Sequence, residues 1–230
     1  MSQTTLDRRS LIAAAALAGP AVAATAAAGQ PAPVAGGFAP KPLPVDPKAV
    51  PWLSEKLLVS HHDNNYAGAV KRLGAIQGEL RALDPAKAPT YTLNGLKREE
   101  LLAWNSMILH ELYFAGLGAG PGPGKALGGQ IEHDFGSMDR WRAEFAGLGK
   151  ALGGGSGWVL LTWSRRDGRL ANQWAADHTM ALAGATPLLA LDMYEHAYHM
   201  DYGAKAGAYV DAFMNGFNWR TAEAAFAQAV

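Results

Sequence analysis

At 230 residues the chain can bury one good core or two small ones. Its 20 basic and 20 acidic side chains cancel, so the charge balance invites neither nucleic acid nor an anionic membrane. It has no cysteine, which excludes disulfides, thiolate zinc sites, iron–sulfur clusters and cysteine nucleophiles and leaves nitrogen and oxygen as the ligands for any metal.

The chain opens with Arg8-Arg9 before a weakly apolar, Ala-rich run to about Ala28. Paired arginines ahead of such a run look like a twin-arginine export signal, so residues 1–28 are expected to be removed and the mature protein to be exported, in a bacterium to the periplasm. The run is too Ala-rich to read as a transmembrane helix, so no membrane attachment of the mature form is expected. Residues 29–50, with prolines at 31, 33, 40, 42, 44 and 47, read as an exposed linker.

Ser54 can cap a helix running to about Leu83, with Leu57, His61, Asn65, Ala69, Leu73, Ile76 and Leu80 on one face. Asp84-Pro85 ends it, and residues 85–96 read as a loop. A second helix is expected from about Lys97 to Leu117, with Leu101, Trp104, Ile108 and Leu112 inward and His110 inside it. Gly116 to Gly124 is a Gly/Pro-rich break. The spacing predicts a helical-hairpin domain over 51–118 and a C-terminal domain over 119–230.

In the second part, Lys125–Phe135 and Met138–Leu148 read as helices. Trp158–Ser164 and Arg169–Trp174 read as strands around an Asp167-Gly168 hairpin turn, and Leu188–Asp192 as a third. Helices follow near 196–202 and 206–228. Helices, then a small antiparallel sheet, then helices make the class α+β: an antiparallel two-helix hairpin followed by a three-stranded sheet surrounded by helices.

The chemistry concentrates in Asp192-Met193-Tyr194-Glu195-His196-Ala197-Tyr198-His199, which follows an apolar run. Two candidate ligands four residues apart at the end of a buried strand are costly unless something binds them. Of the seven histidines, His133 has charged neighbours and reads as a surface residue. His61 and His110 lie on or near the apolar stripes of their helices. Either alone would read as a satisfied core residue; together with Asp192 and His196 they make a three-imidazole, one-carboxylate set suited to a redox-active first-row metal.

Asp192-Met193-Tyr194-Glu195-His196-Ala197-Tyr198 resembles the D-x-W-E-H-A-Y signature of the iron/manganese superoxide dismutases. Ser156-Gly157-Trp158 is similar to that family's S-G-W strand and Asn218-Trp219 to its C-terminal N-W, and the likeness spans about residues 51–228. It implies superoxide dismutation by redox cycling of one Fe or Mn per chain, held by His61, His110, Asp192 and His196, with a solvent molecule as fifth ligand. His62 competes with His61, and placing Val70 and Leu73 on family apolar positions favours His61. The resemblance further implies that His178 hydrogen-bonds the solvent ligand, that Trp158 and Tyr194 wall the site, and that Glu195 reaches across a homodimer interface to a ligand histidine of the partner.

The chain departs from the family pattern at several positions. Asn65 and Ala69 stand where many members have His and Tyr, and His199 where they usually have Tyr. Tyr66 is near the missing gateway Tyr but one position off the helical face. A funnel Arg is absent near 203–207, where Lys205 is the cation. These changes motivate a second reading, an exported metal-binding protein on the dismutase scaffold with little activity. A hydrolytic zinc site is disfavoured, because four protein ligands would close its tetrahedron.

Overall fold

The first long helix begins where Ser54 caps it: its side chain accepts a hydrogen bond from the Leu57 amide at 3.1 Å. In this computed structural model, which describes residues 38–230, α1 (Glu55–Ser60) passes into one π turn (His61–Tyr66) and continues as α2 (Ala67–Ala82). It stops at Leu83, ahead of Asp84-Pro85. The expected export signal, residues 1–28, and residues 29–37 of the expected linker lie outside the described residues.

Residues 38–50 are largely exposed, as a linker would be, but they are tied to the rest of the fold. Phe38, Leu43 and Val45 pack against the core, Val50 is fully buried, and the Lys41 amide donates to the Tyr66 hydroxyl at 2.9 Å. Prolines stiffen the segment, which closes in a 3-10 turn at Pro47–Ala49, and its apolar side chains tie it down.

The second helix, α3, spans Thr90–Gly116 and so starts well before Lys97. Thr90, Thr92, Asn94 and Gly95 are weak helix formers and give no local start signal. Tertiary packing supplies it, because Leu96 joins the small cluster of Leu73, Ile76 and Ala103. The buried face is also not the expected one. Leu101, Trp104 and Ile108 are 46%, 39% and 43% exposed, whereas Ala103, Ser106, Leu109, His110, Tyr113 and Phe114 are buried. The 101–117 run is apolar on more than one side, so its periodicity does not settle the phase.

After the break come α4 (Lys125–Phe135) and α5 (Met138–Ala151), then β1 (Trp158–Ser164), β2 (Arg169–Ala175) and β3 (Ala185–Asp192). The sheet is antiparallel in the order β2-β1-β3, with β1 buried throughout. β3 begins earlier than Leu188 and includes Pro187, opposite Thr162 where the register shifts; an edge strand tolerates proline there. Next are a 3-10 turn (Glu195–Ala197), α6 (His199–Tyr202), α7 (Ala206–Gly216) and α8 (Arg220–Ala229). The single helix expected over 206–228 breaks at Asn218, whose amide donates to Gly116 O at 2.8 Å and whose side chain donates to Leu117 O at 2.8 Å.

The α+β class holds. One core runs through both halves, joining Leu57, Val70 and Phe114 to Phe145, Leu160 and Phe213. The described residues fall in one compact unit, so the Gly116–Gly124 break links two packed halves rather than two separate bodies. Among the described residues no helix is long and apolar enough to cross a membrane.

Register fixes what the sheet offers at one end. Trp158 pairs with Ala175 on one side and Asp192 on the other, so the start of the central strand sits beside the end of β3. Gly157, immediately before it, has φ 134°, and a Cβ there would collide with the Ala175 carbonyl. Gly157→Ala should therefore lower unfolding stability by about 3 kcal/mol or more. Gly154→Ala, at φ 78° with open space around it, should cost only about 1 kcal/mol. Urea titrations of the two variants check the difference.

Candidate metal centre

Four ligand atoms converge between the hairpin and the sheet. One atom from each of His61, His110, Asp192 and His196 lies within 4.8 Å of all the others. His61 comes from the π turn, His110 from α3, Asp192 from the last residue of β3 and His196 from the 3-10 turn. Asp192 Oδ2 stands 3.2 Å from His61 Nε2, 3.6 Å from His110 Nε2 and 3.4 Å from His196 Nε2. None of these four atoms has a hydrogen-bond partner, and all are buried. Buried polar atoms are nearly always satisfied, so a cluster of orphans facing one point marks a place for a cation.

Asp192 and His110 are pinned from behind, whereas His61 Nδ1 is buried without a partner. Asp192 Oδ1 accepts from the Tyr194 amide at 2.8 Å, and the Asp192 carbonyl accepts from the Tyr209 hydroxyl at 2.8 Å. His110 Nδ1 donates to Ser106 O at 2.7 Å, so its neutral ring must leave Nε2 unprotonated toward the cluster. Sequence reasoning missed Ser106 and Tyr209; the i−4 spacing of Ser106 from His110 was the one local signal available.

Electrostatics agree with that arrangement. Burial lowers His61 from its usual range and pushes His110 down to about 3, so both rings are neutral at ordinary pH. Burial alone would raise Asp192, but the imidazoles of His196 and His61 outweigh it and keep the carboxyl ionised well below the usual range. One anionic and three neutral donors are what a divalent or trivalent first-row ion accepts.

The surrounding residues divide. Trp158 is fully buried, edge-on to His110 at 5.3 Å, and donates its indole N–H to His178 Nδ1 at 2.9 Å. That bond leaves His178 with its proton on Nε2. Burial lowers the His178 pKa, which keeps the ring neutral. Tyr194 stacks between His178, at 4.8 Å, and His196, at 5.4 Å. Glu195 and His199 are exposed, and Asn65 is half-buried. His62 stands apart from the cluster, bonded to Asp63 Oδ1 and Lys41 O. His133 is exposed and pairs with Asp134, as its neighbours suggest.

Tyr66 requires a correction. In the π turn the i→i+5 pairing brings residue 66 over residue 61, so Tyr66 is buried on the inner face and not one position off it. Its hydroxyl donates to Glu111 Oε1 at 3.0 Å and accepts from the Lys41 amide, and its ring meets His62 and Phe114. Extending an α-helical face through residues 61–66 misses this, because the extra residue of the turn leaves no local mark.

Residues 123–225 match the family described as iron/manganese superoxide dismutases, C-terminal domain. The chain is 66% identical over 190 residues to a Cupriavidus metallidurans protein named superoxide dismutase (Fe), covering 83% of this chain and 96% of that one. It is 35% identical over 192 residues to superoxide dismutase (Mn) 1 of Halobacterium salinarum, covering 82% and 94%. It is 33% identical over 192 residues to superoxide dismutase (Fe) of Aquifex pyrophilus, covering 80% and 89%.

A pH dependence follows for the metal-free protein. Unfolded His61 and His110 take up protons near pH 6.5, whereas the native rings resist, His110 down to about pH 3. The unfolded state then binds more protons, so stability falls as pH drops below about 6.5, by roughly 1.4 kcal/mol per pH unit for each histidine. Asp192, held ionised in the fold, adds its own loss only below about pH 4. Urea unfolding of metal-free protein at pH 8, 6.5 and 5.5 should show the drop between the last two; equal stability at all three would contradict it.

Proposed function

Since the chain belongs to the iron/manganese superoxide dismutase family, we propose that His61, His110, Asp192 and His196 hold one iron or manganese ion and that the protein is a superoxide dismutase. The observation that carries the ligand assignment is the set of four buried, unpartnered ligand atoms facing one point. The relative at 66% identity is named for iron, which favours iron here.

The bound ion would supply one-electron chemistry, alternating between trivalent and divalent states. Two superoxide anions and two protons then give one dioxygen and one hydrogen peroxide. The protein's own residues do the rest. The ligand set carries a single negative charge, so a di- or trivalent ion leaves the site net positive and attractive to an anion. Ser106 and the Tyr194 amide hold His110 and Asp192 in the orientation that presents Nε2 and Oδ2. Trp158 holds His178 with its proton on Nε2, the atom that can hydrogen-bond solvent or substrate near the centre. Tyr194 and Trp158 wall off bulk water.

The same reading includes a homodimer and export. Glu195 is exposed yet lies between two ligands in sequence, which suits a carboxylate that reaches a ligand histidine in a second copy. Asn65 and His199 would meet across that interface in place of the usual His and Tyr. Arg8-Arg9 and the apolar run after it support twin-arginine export to the periplasm.

The test is metal analysis, a superoxide assay and sedimentation on the mature protein. Wild type should carry about one Fe or Mn per chain and dismutate superoxide. His110→Ala should lose nearly all of both; a variant that keeps its metal and activity would overturn the ligand assignment. Glu195→Ala should shift the protein toward monomer, and an unchanged sedimentation coefficient would remove Glu195 from the interface.

A further inference from the structure

One cavity, of about 340 Å³, lies between the first helix (Asn65, Ala69, Arg72) and α3 (Ala103, Ser106), with His178 at its edge. None of the four proposed ligands lines it, but it reaches Ser106 and His178, which stand next to them. Ser106 is the residue whose carbonyl holds His110, and the His178 ring is 6.2 Å from the His110 ring. Small side chains, Gly68 and Ala69 on one wall and Ala103 and Ser106 on the other, keep it open.

Among the described residues, Arg72 is the only formally charged side chain lining this cavity. It is 60% exposed and paired with Glu99, which lies on α3. Glu99 is shared, because its other oxygen accepts from Arg98 at 3.1 Å. Glu99 is thus divided between two guanidinium groups, and Arg98 also feels the Asp177 carboxylate, so Arg72 is not fully neutralised by Glu99 alone. Asp177, next to His178, does not line the cavity, and its Oδ1 is taken by the Thr179 amide and hydroxyl. Two other cavities differ. One is lined by Glu55, Asp63 and Lys56, a net negative set, and a larger one by the closed Lys41–Glu111 pair among apolar side chains.

We propose that Arg72 is the steering cation of this protein, drawing superoxide into the cavity between α2 and α3 and toward His178. The proposal rests on the dismutase reading above. A small anion entering a confined, positively lined cleft gains both encounter rate and local concentration, and salt screens that gain. Glu99 sets how much of the Arg72 charge the anion feels. Its removal should therefore act opposite to removal of Arg72.

That opposition is the test. Azide, a small anion that binds ferric iron, is titrated into iron-loaded protein and its Kd read from the visible absorbance change. The ionic-strength dependence of kcat/KM is measured in parallel. At low ionic strength Arg72→Gln should weaken azide binding by about threefold and flatten the salt dependence of kcat/KM. Glu99→Gln should tighten azide binding by a similar factor, and Arg72→Lys should stay near wild type. At high salt all four proteins should converge.

A merely structural Arg72–Glu99 pair would make both neutral variants change in the same direction, which would overturn the proposal. So would an Arg72→Gln protein with native circular dichroism and wild-type azide affinity at low salt. If metal-loaded wild type shows no azide response at all, the dismutase reading of the centre falls, and this proposal with it.

Discussion

A buried carboxylate oxygen facing three imidazole nitrogens, none of the four with a hydrogen-bond partner, is the constraint on which the rest of the structure depends. His110 Nε2 offers a lone pair, because its ring spends its proton on Ser106 O, and the ionised carboxylate offers another. Left alone, such a cluster carries an uncompensated buried charge that costs several kcal/mol. A bound cation turns that cost into binding energy, and binding energy for a site formed only in the native state is folding energy. The centre is thus the least comfortable place in the apo fold and the best reason for its metal.

Holding these atoms together takes elements far apart in sequence. β3 delivers Asp192 at the sheet end, and the antiparallel register sets Trp158 beside it. The π turn sets His61, and α3 sets His110 with Ser106 one turn back. Behind two of the proposed ligands, and behind the neighbouring His178, stands a second bond: a backbone amide on Asp192 Oδ1, a carbonyl on His110 Nδ1, an indole on His178 Nδ1. Such bonds fix tautomer and ring orientation, which is how a protein tunes a metal it touches through only four atoms.

The pattern of what was legible follows from range. The strands, the Asp167-Gly168 turn and the Ser54 cap show in the sequence because each is decided by residues within one turn or pair. The Asp192–His196 pair shows for the same reason. The phase of α3 does not, because Leu101, Trp104 and Ile108 are as apolar as the residues that are buried, and only contact with α2 and β3 chooses between them. The helix break at Asn218 is likewise invisible locally, since its partners Gly116 and Leu117 are about a hundred residues away. The anchoring of residues 38–50 is not legible because proline content reports stiffness, and stiffness does not say whether a surface waits nearby.

By itself the sequence determined the α+β order of elements, the absence of thiolate chemistry, and the four side chains able to make an N₃O site. Those are properties of residue type and short spacing. Only the tertiary structure decided that the four meet with no other partner, that Tyr66 turns inward yet spends its hydroxyl on Lys41 and Glu111, and that Arg72 lines the cavity that ends at His178. The reason is physical. A helix inherits its face from what it packs against, and one π turn shifts that face without altering any local preference. Which cation stands over which cavity is then a matter of helix pairing, and no spacing along the chain records it.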